Sequence, residues 1–108
     1  MLLSNLGTFE DLTNSPDIIV NEKIFYKKIY KIGNMIFGFV IIKGDSVFQY
    51  NETLIEFPFN SKTEHRSKSG DTFGLWTQIW SNSNKFTYMV PNNTKVPNGT
   101  ICNFLFII

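Results

Sequence analysis

The 108-residue sequence has a single cysteine and a single histidine. Cys102 alone forms no disulfide within the chain, which excludes the small extracellular scaffolds that depend on cystine bridges. His65 and Cys102 are also too few for the paired His or Cys motifs of metal sites, and glycine-rich phosphate loops are absent. We therefore expect neither a metal nor a cofactor.

The sequence also lacks an excess of charge and a long apolar run. Ten basic and nine acidic residues give a net charge of +1, which argues against nucleic-acid binding and against attraction to anionic membranes. No segment approaches the ~20 apolar residues that a membrane helix needs, so we expect no membrane insertion. Residues 1–7 lack the features of a signal peptide, which indicates synthesis in the cytoplasm without processing.

Aromatic and strand-forming residues are abundant instead. Hydrophobic residues make up 43% of the chain and aromatic residues 16%, which is enough for one core and one domain. About seven apolar segments follow each other at the regular spacing of antiparallel strands. The pattern predicts an all-β fold, an antiparallel β-sandwich of jelly-roll-like type, over residues 21–108. Residues 1–20 form a lead-in segment, predicted to be either a short helix or extended.

The dipeptide Gly33-Asn34 lies between two strand-like segments, residues 23–32 and 35–43, and predicts a β-hairpin with a type II′ turn. Both faces of the second segment are apolar, so we expect it to be covered by a second sheet or by another subunit. Gly38 interrupts it and predicts a bulky neighbour from an adjacent strand.

The second half of the chain alternates strands and loops. Residues 73–80 and 86–90 read as an antiparallel pair, and residues 100–108 read as a last strand with Cys102, Phe104 and Phe106 on one face. Residues 60–71 and 91–99 are predicted to be loops.

Six residues are candidates for ligand binding. Trp76 and Trp80 are four residues apart, so in a strand they share one face about 13 Å apart, at a rise of ~3.3 Å per residue. Such pairs suit stacking on sugar rings, although filling of the core is the favoured alternative. Tyr26 and Tyr30 form a similar pair. His65 and Arg66 lie in the long polar segment, where a solvated position without a role is favoured for the histidine.

An enzymatic function has little support in the sequence. One histidine leaves Cys102 without a convincing set of catalytic partners. Four carboxylates could in principle include an acid and base pair of the glycosidase type, but their spacing does not indicate that they converge: Glu52, Glu56, Glu64 and Asp71. We therefore expect that the chain is not an enzyme.

Three segments resemble the C-terminal head domains of bacteriophage tail fibres and baseplate receptor-binding proteins. They are the hairpin Tyr-Lys-Lys-Ile-Tyr-Lys-Ile-Gly-Asn-Met-Ile at 26–36, the Leu-Ile-Glu-Phe-Pro element at 54–58, and Val-Pro-Asn-Gly-Thr at 96–100 before the last strand. Phe57 stands where that family usually has leucine. The resemblance spans about three quarters of the chain, counting from residue 26 to the end.

This resemblance implies an adhesion module in the virion tail that binds a host-surface polysaccharide or a teichoic-acid-like polymer as a homotrimer and contacts other tail proteins. The alternative is a purely structural virion protein of the tail, baseplate or capsid that binds only other virion proteins.

Overall fold

A computed structural model describes residues 8–69 and 75–108, and within these ranges every regular element is a β-strand. The all-β prediction is therefore confirmed, whereas a helix in the lead-in is not found over residues 8–20; residues 1–7 lie outside the described part. The strands are Phe9–Asp11 (β1), Ile19–Val20 (β2), Ile24–Ile32 (β3), Met35–Ile42 (β4), Ser46–Phe48 (β5), Glu52–Glu56 (β6), His65–Ser69 (β7), Leu75–Ile79 (β8), Lys85–Met89 (β9), Thr94–Val96 (β10) and Ile101–Ile107 (β11).

The strands form two main antiparallel sheets and one two-stranded ribbon. The four-stranded sheet has the order β1-β3-β4-β11, and the five-stranded sheet has the order β2-β6-β9-β8-β7. β5 and β10 pair separately. The two strands of the predicted lead-in thus join different sheets, since β1 pairs with β3 and β2 pairs with β6.

One hydrophobic core lies between the two sheets. Aromatic side chains from the two sheets pack against each other in this core. The Phe86 ring of the five-stranded sheet lies 5.1 Å from the Phe104 ring of the four-stranded sheet. The Phe57 ring contacts that of Phe106 at 4.9 Å between centroids. All four of these phenylalanines are at most 2% exposed, so the core is close-packed and aromatic.

The β3–β4 hairpin confirms the strongest local prediction. Gly33 has a φ of 58°, whereas Asn34 is not among the positive-φ residues, as a type II′ turn requires. Side chains of β4 alternate between its two faces, and Ile36, Val40 and Ile42 on one face are fully buried. Cys102, Phe104 and Phe106 share the buried face of β11, as predicted.

Gly38 is required by close packing on the inner face of β4. Phe104 lies directly opposite it on β11, and a Cβ built at position 38 would be 3.0 Å from the Phe104 Cζ. The same Cβ would collide with the backbone carbonyl of Lys28. The prediction of a bulky cross-strand neighbour is therefore confirmed.

Two predicted loops contain strands. β7 lies within residues 60–71 and pairs along its whole length with β8, and β10 lies within residues 91–99 and pairs with β5. Both strands are short and mostly polar, so they carry little hydrophobic alternation. Their pairing partners, rather than their own propensity, make them strands.

The two sheets approach each other at one corner, where β7 runs beside β11. There the Cys102 Sγ on β11 lies 3.6 Å from the Ser69 Oγ on β7. At this corner the side chains of β7 alternate, so that every second one points toward the four-stranded sheet and the others point away from it.

Candidate functional sites on the two outer faces

The outer face of the four-stranded sheet is apolar, although the other sheet does not cover it. Strand register places fourteen side chains on it in four cross-strand rows, and only Asp11, Lys28 and Asn103 are polar. We call this surface the aromatic face. Its members are Phe9, Asp11, Tyr26, Lys28, Tyr30, Ile32, Met35, Phe37, Phe39, Ile41, Ile101, Asn103, Leu105 and Ile107.

The rings of the aromatic face are in mutual contact. Phe9, Tyr30 and Phe37 follow each other across three strands with centroid separations of 5.5 and 5.7 Å, and Tyr26 lies 6.1 Å from Phe39. Phe9 is nevertheless 58% exposed and Tyr26 44%. Neighbouring rings therefore shield each other only in part, and the face presents contiguous apolar surface.

A groove of about 430 Å³ runs along the corner between this face and β7. Tyr30, Phe37 and Leu105 contribute its apolar side, and His65 and Asn103 are among its polar groups. His65 is half-buried, and this burial lowers the pKa of its imidazole. The structure thus corrects the solvated-loop interpretation of His65. The residue is on strand β7, and it lines the groove together with residues of β11.

The outer face of the five-stranded sheet carries a different arrangement, which we call the tryptophan cluster: Glu64, Arg66, Trp76 and Gln78. The Trp76 Nε1 donates a hydrogen bond to the Gln78 Oε1 at 3.3 Å. The Gln78 Nε2 donates in turn to the Glu64 Oε1 at 2.6 Å. The Arg66 Nη2 lies 3.8 Å from that carboxylate oxygen, and its guanidinium carbon lies 5.6 Å from the centre of the Trp76 ring.

These four contacts close a ring in which each side chain touches the next. Gln78 is only 1% exposed, whereas Trp76 is 38% exposed. The buried amide fixes the edge of the indole, and the guanidinium lies over its face in a cation–π contact. The exposed indole of Trp76 is therefore contacted by polar neighbours at its edge and over its face.

The predicted site residues separate into two groups. Arg66 and Trp76 meet in the tryptophan cluster, while Tyr30 and His65 meet in the groove and Tyr26 lies on the aromatic face. Arg66 and His65 diverge because adjacent strand residues point to opposite faces. The core interpretation of the tryptophans is wrong, since Trp80 is 46% exposed just after β8 and Trp76 is also exposed.

Sequence reasoning did not select Gln78 or Glu64 as binding residues. The sequence does contain a signal for Gln78. It lies two residues after Trp76, and side chains two residues apart in a strand point to the same face. Glu64 gave no such signal, since its contact depends on the pairing of β7 with β8. The groove residue Asn103 was missed for the same reason, as its position beside Phe39 follows from the register of β11 on β4.

A buried polar group lies in the core at the same corner. The Tyr88 hydroxyl and the Ser69 hydroxyl form a 2.5 Å hydrogen bond, and the Cys102 thiol contacts the same Ser69 oxygen. Burial raises the pKa of Tyr88 to about 12 and that of Cys102 to about 11. Since all three side chains are at most 1% exposed, they serve packing rather than chemistry on a ligand.

Of the other candidate carboxylates, Glu52 has structural partners and Glu56 has only an opposite charge in strand register. Glu52 forms a 2.8 Å ion pair with Lys23 and accepts a hydrogen bond from Asn21 at 2.9 Å, and Glu56 lies opposite Lys85. Asp71 lies outside the described residues. Within residues 8–69 and 75–108, no three His, Cys, Asp or Glu side chains are grouped for a metal, and no helix is suited to crossing a membrane.

Comparison of the chain with protein-family models, with curated proteins and with solved structures gave no match. The phage-head resemblance is therefore carried by the sequence segments alone.

Proposed function

We propose that this chain is a non-enzymatic adhesion module of a phage tail, which binds a host-surface carbohydrate and uses a jelly-roll-like β-sandwich as its scaffold. The observation that carries the proposal is the tryptophan cluster. Sugar rings present apolar C–H faces that pack on an indole, while their hydroxyls need polar partners close by. Trp76 offers the exposed indole, and Glu64 and Arg66 offer an acceptor and donors beside it.

The directional contacts within the cluster support a binding role. An aromatic side chain that is already fixed loses little rotamer freedom when a ligand stacks on it, so more of the contact energy appears as affinity. Gln78 and Arg66 fix Trp76 by its edge and its face, respectively. Trp80 follows the same strand and is also exposed.

The carbohydrate proposal is tested by measuring binding of the chain to host cell-wall polysaccharide and to a glycan array. Trp76→Ala removes the stacking surface, and we expect a loss of at least about tenfold in affinity, since a central aromatic anchor contributes about 2 kcal/mol. Tyr50→Ala is the matched control, because Tyr50 is 61% exposed and belongs to neither outer-face site. Equal binding by the wild type and Trp76→Ala, with both folded, would refute this site.

We further propose that the aromatic face is buried between copies of the chain in a homotrimer. Three polar residues among fourteen are few for a surface that stays in water, and contiguous exposed apolar patches mark association sites. Light scattering should then give three times the chain mass of 12.5 kDa. Phe39→Ser should lower that mass, whereas Val47→Ser, an exposed residue on β5, should not.

The aromatic face also favours a second candidate, a structural virion protein that binds only other virion proteins. Under this alternative the face contacts a different protein rather than another copy. A single-chain mass at all concentrations, together with no binding to any polysaccharide, would favour the structural role over adhesion.

A further inference from the structure

The charges around Trp76 indicate which class of saccharide the tryptophan cluster would take. Arg66 and Lys68 lie two residues apart on β7, so they share its outer side and are both exposed. In the register of β7 and β8, Lys68 is directly opposite Trp76 and Arg66 is directly opposite Gln78. Two cationic side chains on the neighbouring strand, together with the single carboxylate of Glu64, therefore lie beside the exposed indole.

The guanidinium of Arg66 lies over the Trp76 ring, and within the described part of the chain it has N–H donors without a hydrogen-bond acceptor. Its contacts there are the cation–π approach to Trp76 and the 3.8 Å ion pair with Glu64, which is too long for a hydrogen bond. The Glu64 oxygen of that pair is already engaged by the Gln78 amide at 2.6 Å. A guanidinium in this state can offer paired N–H groups to a carboxylate or a phosphate.

We propose that the tryptophan cluster binds an acidic saccharide, with a sugar ring against Trp76 and its carboxylate or phosphate on Arg66, assisted by Lys68. This inference rests on the proposed carbohydrate function and narrows it to anionic sugars. Arg66 is then the specificity-determining residue, because it supplies a directional pair of donors beside the stacking surface. Lys68 adds a second positive charge without requiring a fixed geometry.

The test compares polymers that differ only in charge. The full chain is titrated with polygalacturonate and its methyl ester, and with a phosphorylated mannan and the same mannan after phosphatase treatment. We expect a preference of about tenfold or more for a charged polymer over its neutral partner, since a charge-assisted hydrogen bond contributes about 1.5–3 kcal/mol. Preference within the first pair indicates a carboxylate, and preference within the second indicates a phosphate.

Charge-matched variants separate a specific site from general attraction. Arg66→Gln with Lys68→Gln should abolish the preference for the charged polymer, whereas Lys43→Gln with Lys95→Gln should retain it, because these two exposed lysines lie outside β7 and β8. Equal loss in both double variants would overturn the proposal, as the attraction would then depend only on net charge.

The outcomes also distinguish this inference from the function on which it rests. Equal binding of charged and neutral polymers, lost on Trp76→Ala, would overturn the acidic preference and leave the carbohydrate function standing. No binding of any polymer, including host cell-wall polysaccharide, would overturn both.

Discussion

The two outer faces of the molecule differ in how they hold their exposed aromatic residues. On the aromatic face, rings such as Phe9, Tyr30 and Phe37 contact mainly other apolar side chains. In the tryptophan cluster, the exposed ring of Trp76 is tied to polar and charged neighbours by directional contacts. A surface of contiguous apolar rings is stabilised most when another apolar surface covers it. An exposed ring with polar groups beside it suits a small hydrated ligand. Exposure alone would not have distinguished these surfaces.

The largest expected effect compares the two faces of β11. Phe104 is 2% exposed in the core and its neighbour Leu105 is 46% exposed on the aromatic face. Phe104→Ala should lower the free energy of unfolding by about 3–5 kcal/mol, because it removes a core ring and leaves a cavity. Leu105→Ala should cost less than about 1 kcal/mol in the dissociated chain. Chemical denaturation at low protein concentration measures both.

A larger cost for Leu105→Ala at high protein concentration would sharpen the comparison. The free energy of unfolding of an assembled chain includes its association, so an interface residue gains importance as concentration rises. Similar costs for Phe104→Ala and Leu105→Ala in the dilute chain would contradict the assignment of inner and outer faces.

The second prediction addresses the polar connections of the tryptophan cluster. Gln78→Leu removes the acceptor of the indole N–H and the donor to Glu64. We expect a loss of about 1–2 kcal/mol in unfolding free energy, because a partly buried donor loses its partner. In a Trp80→Phe background, the fluorescence of Trp76 should also show a changed emission maximum and lower anisotropy, which report its environment and mobility.

Gln49→Leu provides the matched control for this experiment. The Gln49 amide also makes side-chain hydrogen bonds, to Asn93, but it is exposed, so water replaces them at a cost below about 0.5 kcal/mol. Unchanged Trp76 fluorescence in Gln78→Leu would mean that the buried amide does not fix the indole. The two outer faces would then differ less than their contacts indicate.

The features that sequence predicted correctly depend on local signals. The β3–β4 hairpin follows from Gly33 and from apolar residues on both sides of it, and the buried face of β11 follows from simple alternation. Strand β7 was missed because its residues are polar and its pairing with β8 is a property of the folded chain. A register shift between Ile24 and Tyr26 likewise leaves Ile24 packed on the core, which strict alternation does not predict.

The candidate site was predictable only in its separate parts. Residues 75–80 alternate between Leu, Thr and Ile on one face and Trp, Gln and Trp on the other, and both sets could fill a core. The structure buries Thr77 and Ile79 completely and leaves Trp76 and Trp80 exposed. The sequence marks Arg66 only by its place in a polar segment, because its approach to Trp76 depends on the pairing of β7 with β8.

The smallest expected effect is the pH dependence of the unfolding free energy that arises from His65 on one side of β7. Burial lowers the pKa of the His65 imidazole in the folded chain below its ordinary value of about 6.5. Between these two pKa values the unfolded chain therefore binds a proton that the folded chain does not. The stability of the wild type should therefore be full above the ordinary value and fall as the pH drops through the folded pKa. His65→Gln should show a shallower fall, measured by denaturation at a series of pH values.

Arg66→Gln is the control for this pH dependence, because Arg66 is adjacent in sequence but faces the tryptophan cluster. It should keep the acid slope of the wild type, whereas equal slopes for the wild type and His65→Gln would contradict the buried position of the imidazole. Covering the aromatic face by a second copy would close the groove further and desolvate His65 more strongly. A steeper acid slope at high protein concentration, absent in Phe39→Ser, would then link the titration of His65 to assembly through the aromatic face.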